Sequence, residues 1–241
     1  MKESSKFFNF PIQLLHGFMN NSKECFANIF DYSVFQMVYS EDAIYDDLDE
    51  FMEEWNISIP KSRANRIYSN GKLLYDSFNS FNLPWTGIHK KTYFKIRDET
   101  DEFKLICFLA YSAFKSIIQK KQWCKVPNDL ILARMAGLSG YKNKGRAAII
   151  PSKIAYWMKS KSQRRKRVFQ YLETYNGLVY LPKSRGIIFS LTCSFKELVY
   201  YVEEKKVVKE ISEKDRMAKK NQTLNEVKAE MRELIRNRNR N

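Results

Sequence analysis

The residues best suited to chemistry are the cations of one short segment, residues 159–167. Six of its nine residues are basic: Lys159, Lys161, Arg164, Arg165, Lys166 and Arg167. Four aromatic residues flank the segment: Tyr156, Trp157, Phe169 and Tyr171. Ammonium and guanidinium groups hold phosphate oxygens, and aromatic rings stack on bases. The segment therefore predicts a nucleic-acid contact, while the usual burial of large aromatic side chains favours core positions for Trp157 and Phe169.

The charge of the whole chain points in the same direction. Its formal net charge is +15, and this total hides an asymmetry. The first 60 residues hold three basic and eleven acidic residues, whereas residues 61–241 hold 39 basic and 16 acidic residues. A surface this positive attracts phosphate backbones and gains from the release of counterions. An acidic protein or anionic lipid headgroups could use the same field, so charge alone predicts a polyanionic partner without naming it.

Motifs for catalysis are missing from the sequence. It has no Walker A loop, no GxGxxG, no HExxH and no GxSxG elbow. The two histidines are far apart, and the four cysteines form no CxxC pair, which disfavours a zinc site. We therefore expect no catalytic residue, no cofactor, no metal and reduced thiols. The most apolar stretch, Leu105–Phe114, is too short to span a membrane, and a cytoplasmic location is expected.

A second charged segment, residues 41–54, is acidic. Consecutive acids on a helix point in different directions, so they do not converge on a magnesium ion, and a solvated face explains them better. The segment is also a candidate contact for a basic surface of a partner. Four of its carboxylates are the candidate partner-binding residues: Asp46, Asp47, Glu50 and Glu54.

The hydrophobic pattern of the first 97 residues is typical of helices. Apolar residues recur three and four apart in four stretches: 10–18, 26–37, 43–55 and 62–78. Ser40, followed by acidic residues, has the signature of an N-cap for the third stretch. Residues 83–87 predict a loop. We expect residues 1–97 to form a helical N-terminal region that contains the acidic segment.

The elements that position the basic segment follow from residue 98 onward. A long helix is expected at 100–120, a short helix at 128–135, a helix at 163–175 and a β-hairpin at 178–191. This is the order of a winged helix-turn-helix, in which the third helix enters the major groove and the hairpin, the wing, rests on the backbone. Lys183 and Arg185 then lie at the wing tip. The long spacer between the second and third helices departs from the usual turn of about 3–4 residues.

The expected fold class is therefore mainly α with a small β-hairpin. A winged-helix-like basic domain at 98–202 follows the helical region, and a charged helical tail at 203–241 completes the chain. Four apolar residues of the tail have heptad-like spacing: Leu224, Val227, Met231 and Leu234. Two heptads are too few to establish a coiled coil, so a homodimer through this helix stays open.

Short strings within residues 98–202 resemble winged-helix proteins of plasmids and phages that are related to replication initiators. The similarity is carried by FKSIIQ at Phe114–Gln119, Cys124–Lys125, Asp129–Leu130 and ARMAG at Ala133–Gly137, followed by the hairpin. The resemblance implies DNA binding without catalysis.

Two interpretations of function stay open. In the first, the chain is a nucleic-acid-binding protein of a mobile element, similar to an initiator or regulator, that binds DNA or RNA. In the alternative, it is a phage-encoded inhibitor of the anti-CRISPR type. Its basic face then engages the guide RNA or an acidic surface of a host RNA-guided nuclease, and its acidic segment engages a basic channel. A nuclease is a third class, which the motifs do not support.

Overall fold

The protein is mainly helical and carries small antiparallel sheets, as the composition and periodicity predicted. The computed structural model describes residues 6–79, 83–143, 146–159, 162–183 and 185–238. Contacts divide the chain into two units, Met1–Cys193 and Ser194–Asn241. The domain boundaries expected at 97/98 and 202/203 stay predictions. None of the described helices combines the length and the apolar character that crossing a membrane requires.

The first part of unit one combines helices with one two-stranded sheet. Its elements are β1 (Phe7–Pro11), a 3-10 helix (Ile12–Leu15), α1 (Ser22–Val38), α2 (Leu48–Trp55), α3 (Lys61–Asn79), β2 (Trp85–His89) and α4 (Lys90–Ile96). Of the helix expected at 10–18, only the 3-10 helix Ile12–Leu15 is present, because Phe10 and Pro11 belong to β1, which pairs antiparallel with β2. The loop expected at 83–87 is for the same reason largely the strand β2.

The helix of the acidic segment starts later than its pattern suggested. Asp47, not Ser40, is the N-cap of α2, and its carboxylate accepts a hydrogen bond from the backbone N–H of Glu50 at 2.8 Å. The Ser40 hydroxyl donates instead to the carbonyl of Gln36 at 2.6 Å, near the end of α1. Both residues suit an N-cap by type, so local preference alone could not decide between them.

Helices α1 and α3 pack closely around one buried carboxylate. Asp31 has a side chain that is 0% exposed, and Arg63 and Arg66 lie 3.2 and 3.1 Å from its two oxygens. Asn70 donates a further hydrogen bond to it at 2.9 Å. A Cβ at Gly71 would lie 2.5 Å from the Asp31 carbonyl oxygen, so only glycine permits this approach of the two helices.

The second part of unit one contains the helices and strands that carry the basic segment and pack around it. They are α5 (Glu102–Ile118), β3 (Cys124–Pro127), α6 (Asn128–Met135), β4 (Lys142–Asn143), β5 (Arg146–Ala147), α7 (Ser152–Met158), α8 (Gln163–Asn176), β6 (Val179–Lys183) and β7 (Gly186–Ser190). The three helices and the hairpin predicted from the sequence are all confirmed. The strand β3 was missed; it pairs with β7, giving a three-stranded sheet in the order β3-β7-β6.

Aromatic packing fixes α8 against α5 and the hairpin. The ring of Phe114 on α5 contacts Phe169 on α8 and Phe189 on β7, with centroids 5.9 and 4.8 Å apart. Phe169 also stacks on Tyr180 of β6 at 4.8 Å. The core position predicted for Phe169 is therefore confirmed, and this packing determines which face of α8 points to solvent.

Unit two is one long helix, α9 (Phe195–Arg238). It begins with a capping box: the backbone N–H of Ser194 donates to the Glu197 carboxylate at 2.7 Å, and the Ser194 hydroxyl accepts from the N–H of Glu197 at 3.3 Å. Of the heptad-like residues, only Val227 has a described side chain, and it is 50% exposed. Leu224, Met231 and Leu234 have side chains outside the described part, so the homodimer stays a prediction.

Candidate nucleic-acid interface

Helix α8, which carries most of the basic segment, has a cap at each end and one buried face. The hydroxyl of Ser162 caps the helix by accepting from the backbone N–H of Arg165 at 3.2 Å. The helix ends at Gly177, whose φ of 66° lies in the left-handed region that favours glycine. Val168 and Leu172 are buried beneath it. Because the apolar residues recur every three to four positions, the polar residues between them face outward.

Arg165 points inward, away from the solvent face of α8. Its guanidinium donates to the side-chain oxygen of Asn128 at 2.6 Å and lies 5.0 Å from the centroid of Phe169. Burial lowers the pKa of this guanidinium. One of its N–H groups thus holds α8 to the first residue of α6, and the contact of Arg165 with nucleic acid stays a prediction.

Arg164 turns back onto α7 instead of extending into solvent. Its guanidinium carbon lies 3.7 Å from the ring centroid of Tyr156, and its Nε donates to the Tyr156 carbonyl at 3.3 Å. The Tyr156 ring itself is 54% exposed. The two side chains thus form a stacked pair at the surface between α7 and α8.

The remaining described cations of the segment face solvent. Lys159, which follows α7, and Lys166 and Arg167 on α8 are exposed. The Arg167 guanidinium lies 5.2 Å from the ring centroid of Phe103. Lys161 lies outside the described residues. Three positive charges of the predicted segment are therefore available to a partner without any rearrangement.

The hairpin tip lies next to the start of α8, and one residue joins them. Lys183 at the end of β6 and Arg185 in the turn are both exposed. The backbone N–H of Asn128 donates to the Arg185 carbonyl at 3.2 Å, while the Asn128 side chain accepts from Arg165. The two predicted basic groups, separate in sequence, therefore meet at Asn128.

Within the part of the chain that the structure describes, five exposed cations form no ion pair: Lys159, Lys166, Arg167, Lys183 and Arg185. Asp129, the second residue of α6, is an exposed carboxylate beside Asn128. We refer to the five cations, together with Asn128 and Arg165, as the basic face.

The acidic residues predicted to bind a partner are mostly engaged in local structure. Asp47 caps α2, and the Glu50 carboxylate accepts from the backbone N–H of Asp46 at 2.8 Å. Glu54 forms an ion pair with Lys6, which also donates to the Glu54 carbonyl. All four, Asp46 included, are exposed, so these contacts do not remove them from solvent.

Groups for metal binding do not converge in the described residues. No three His, Cys, Asp or Glu side chains come together there in a way that could hold a metal ion. All four cysteines are free, and burial raises the pKa of the Cys107 thiol to about 12. A thiol with so high a pKa is not a thiolate nucleophile at neutral pH.

Two residues important for this geometry were not singled out as functional from the sequence. Asn128 contacts Arg165 across 37 positions of the chain, and no local pattern marks such a polar contact. Tyr156 was noted among the flanking aromatics that could stack on bases, but it was not assigned to the binding residues. The signal that distinguishes it is helical spacing: Ile154 and Met158 are buried, so the face of α7 that carries Tyr156 points outward. Trp157 is half-buried and donates to the Glu102 carboxylate at 2.6 Å.

Comparisons of the chain with models of protein families, with curated proteins and with solved structures found no match. The function of the protein is therefore inferred from these residues and their geometry.

Proposed function

We propose that the chain is a non-enzymatic nucleic-acid-binding protein of a mobile element, similar to plasmid or phage initiators and regulators. In this proposal the basic face holds the phosphate backbone, with α8 and the hairpin contributing from either side of Asn128. The observation that carries it is the set of five exposed cations after α7, on α8 and at the hairpin, which form no ion pair within the described residues. Asn128 links the start of α8 to the hairpin tip. Uncompensated charge of this kind attracts polyanions and gains from counterion release.

A winged-helix arrangement of the basic domain is the finer part of the proposal. Its support is the chain order α5, β3, α6, α8, β6, β7 together with a hairpin that pairs with a strand lying between the first two helices. The spacer from α6 to α8, which holds β4, β5 and α7, departs from the usual compact turn. Because Arg164 and Arg165 contact the protein itself, we assign backbone contact to Lys166, Arg167 and the hairpin tip instead of base reading to the start of α8.

The test compares the affinities of duplex DNA, single-stranded DNA and structured RNA at several salt concentrations. The wild-type affinity should fall steeply with salt, and the Lys166→Ala, Arg167→Ala double variant should bind about tenfold or more weakly, with a slope against log salt that is smaller by about 2. Lys72→Ala with Lys95→Ala is the matched control, because both lysines are exposed on α3 and α4. Loss of binding in both pairs, or no wild-type binding in dilute buffer, overturns the proposal.

One observation keeps the alternative of a phage-encoded inhibitor of the anti-CRISPR type. Ile44 is 73% exposed within the acidic segment, and an exposed apolar side chain flanked in sequence by acids suits a protein partner with a basic channel. Capture of one large host nuclease with its RNA, combined with no binding of free nucleic acid, would favour this alternative. In that event Ile44→Asp should abolish capture of the nuclease. Capture by the Lys166→Ala, Arg167→Ala double variant would show only whether the basic face also contacts the nuclease complex.

A further inference from the structure

The exposed Tyr156 ring has an arrangement that phosphate contact alone does not explain. Its neighbours on α7 do the packing: Ile154 and Met158 are buried, and Trp157 is tied to Glu102 of α5. Tyr156 contributes little to that core and leaves 54% of its surface in solvent. Its ring is nevertheless held in place, because the Arg164 guanidinium lies over it at 3.7 Å and the Trp157 ring stands nearly perpendicular to it at 86°.

The chemistry of this pair matches that of an unpaired base. Arginine planes and tyrosine rings stack on bases whose faces are open, and nearby ammonium groups then hold the adjoining phosphates. Lys159, one residue beyond α7, and Lys166, on the first turns of α8, are exposed cations close in sequence to the two members of the pair. In a duplex the base faces are already stacked on one another, so this ring and plane would find no open face to contact.

We propose that the Tyr156–Arg164 pair stacks on an unpaired base, which makes single-stranded nucleic acid the ligand class that the basic face prefers. This inference rests on the proposed function. The five exposed cations supply the affinity that every polyanion shares, and Tyr156 supplies the part that distinguishes a strand with open bases from a duplex. Arg164 acts as a positioning residue for the ring and as part of the stacking surface.

The experiment uses the full chain and three fluorescently labelled ligands: a short oligothymidine, the same strand with abasic sites in place of most bases, and a duplex of equal length. Affinities are measured by fluorescence anisotropy for the wild type and for Tyr156→Ala, Tyr156→Phe and Tyr175→Ala. Tyr175 is the matched control, because it is an equally polar ring on α8 that is 71% exposed. Unchanged circular dichroism and melting temperature establish that each variant is folded.

Tyr156→Ala should weaken binding of the oligothymidine about tenfold, which corresponds to ~1.4 kcal/mol, and should change binding of the abasic strand by less than about twofold. Tyr156→Phe keeps the ring and should stay within about twofold of the wild type. The wild type should also bind the oligothymidine more tightly than the duplex. Tyr175→Ala should not change the preference between the oligothymidine and the abasic strand.

Equal losses on the intact and the abasic strand, or no loss on either, overturn the stacking role of Tyr156. Tighter binding of the duplex than of the single strand overturns the assignment of ligand class. In each of these cases salt-dependent binding that requires Lys166 and Arg167 would leave the proposed function intact. If no ligand binds at all, the proposed function fails and the inference fails with it.

Discussion

The arginines of α3 and those of α8 lie in opposite electrostatic surroundings. On α3, Arg63 and Arg66 both pair with the buried carboxylate of Asp31, whose negative charge offsets one of their two positive charges within the fold. On α8, Arg165 donates to the neutral side chain of Asn128, and Arg164 lies over a tyrosine ring. Hydrogen bonds and ring contacts position these two guanidiniums without cancelling their charge.

This difference teaches how to separate structural from functional cations in a basic protein. Charge that the fold requires is paired with a buried acid nearby, as at Asp31. Charge that a ligand requires is oriented by neutral groups, and it remains part of the field that attracts an anion. This criterion favours the basic face over the first half of the chain as the proposed ligand-binding region.

The largest expected effect tests the structural side of the comparison. Asp31→Ala removes the common partner of Arg63 and Arg66, and it should lower the free energy of unfolding by about 3 kcal/mol. This value is at the low end for a broken buried pair, because both guanidiniums are partly exposed and can turn to water. Chemical denaturation measures the change, and Asp76→Ala, an exposed acid on α3, should stay within about 0.5 kcal/mol of the wild type. Similar stability for the two variants would contradict a structural role for the ion pairs of Asp31 with Arg63 and Arg66.

A second change gives an arginine of α8 an acidic partner, as the arginines of α3 have. Asn128→Asp places a carboxylate against Arg165 and an acid in the first turn of α6, so the free energy of unfolding should rise by about 1 kcal/mol. The same carboxylate weakens the field of the basic face, and affinity for a nucleic-acid strand should fall about threefold. Asn65→Asp adds an equal charge on α3 and should alter neither quantity as much. An increase in affinity for Asn128→Asp would break the comparison.

The smallest effect concerns Asp129, an exposed carboxylate that follows Asn128 in the chain. Asp129→Asn removes a repulsive charge from the edge of the basic face, and affinity should increase about twofold at low salt. The increase should vanish at high salt, since exposed charges are screened within about one Debye length. Asp76→Asn changes the net charge by the same amount elsewhere. If both variants gain equally, total charge governs binding and the location of the basic face has no role.

Local pattern predicted the elements around the basic face well. The helices at 128–135 and 163–176 follow from their apolar spacing and from the signals that bound them, Pro127 and Gly177. The hairpin follows from two apolar runs around a short polar turn. These features depend on residues that are neighbours in sequence, which is why the sequence alone reveals them.

Contacts between distant residues escaped the sequence. The strand β1 has an apolar spacing that also fits a helix, and its partner β2 lies near residue 87. The strand β3 has four residues and ends in proline, too short for a periodic signal. Arg164 points toward Tyr156 and Arg165 points toward Asn128. Only the packing of α6, α7 and α8 brings these residues near one another. The sequence therefore shows which residues make up the candidate site, but not which of its cations contact other parts of the protein.

The most direct test locates the bound strand on the surface. Lysine acetylation followed by mass spectrometry compares reactivity with and without a saturating oligonucleotide. Ligand should protect Lys166 and Lys183 on the basic face and should leave Lys72 and Lys95, which are equally exposed on α3 and α4, as reactive as before. Protection of Lys72 and Lys95 with full reactivity at Lys166 and Lys183 would contradict the account.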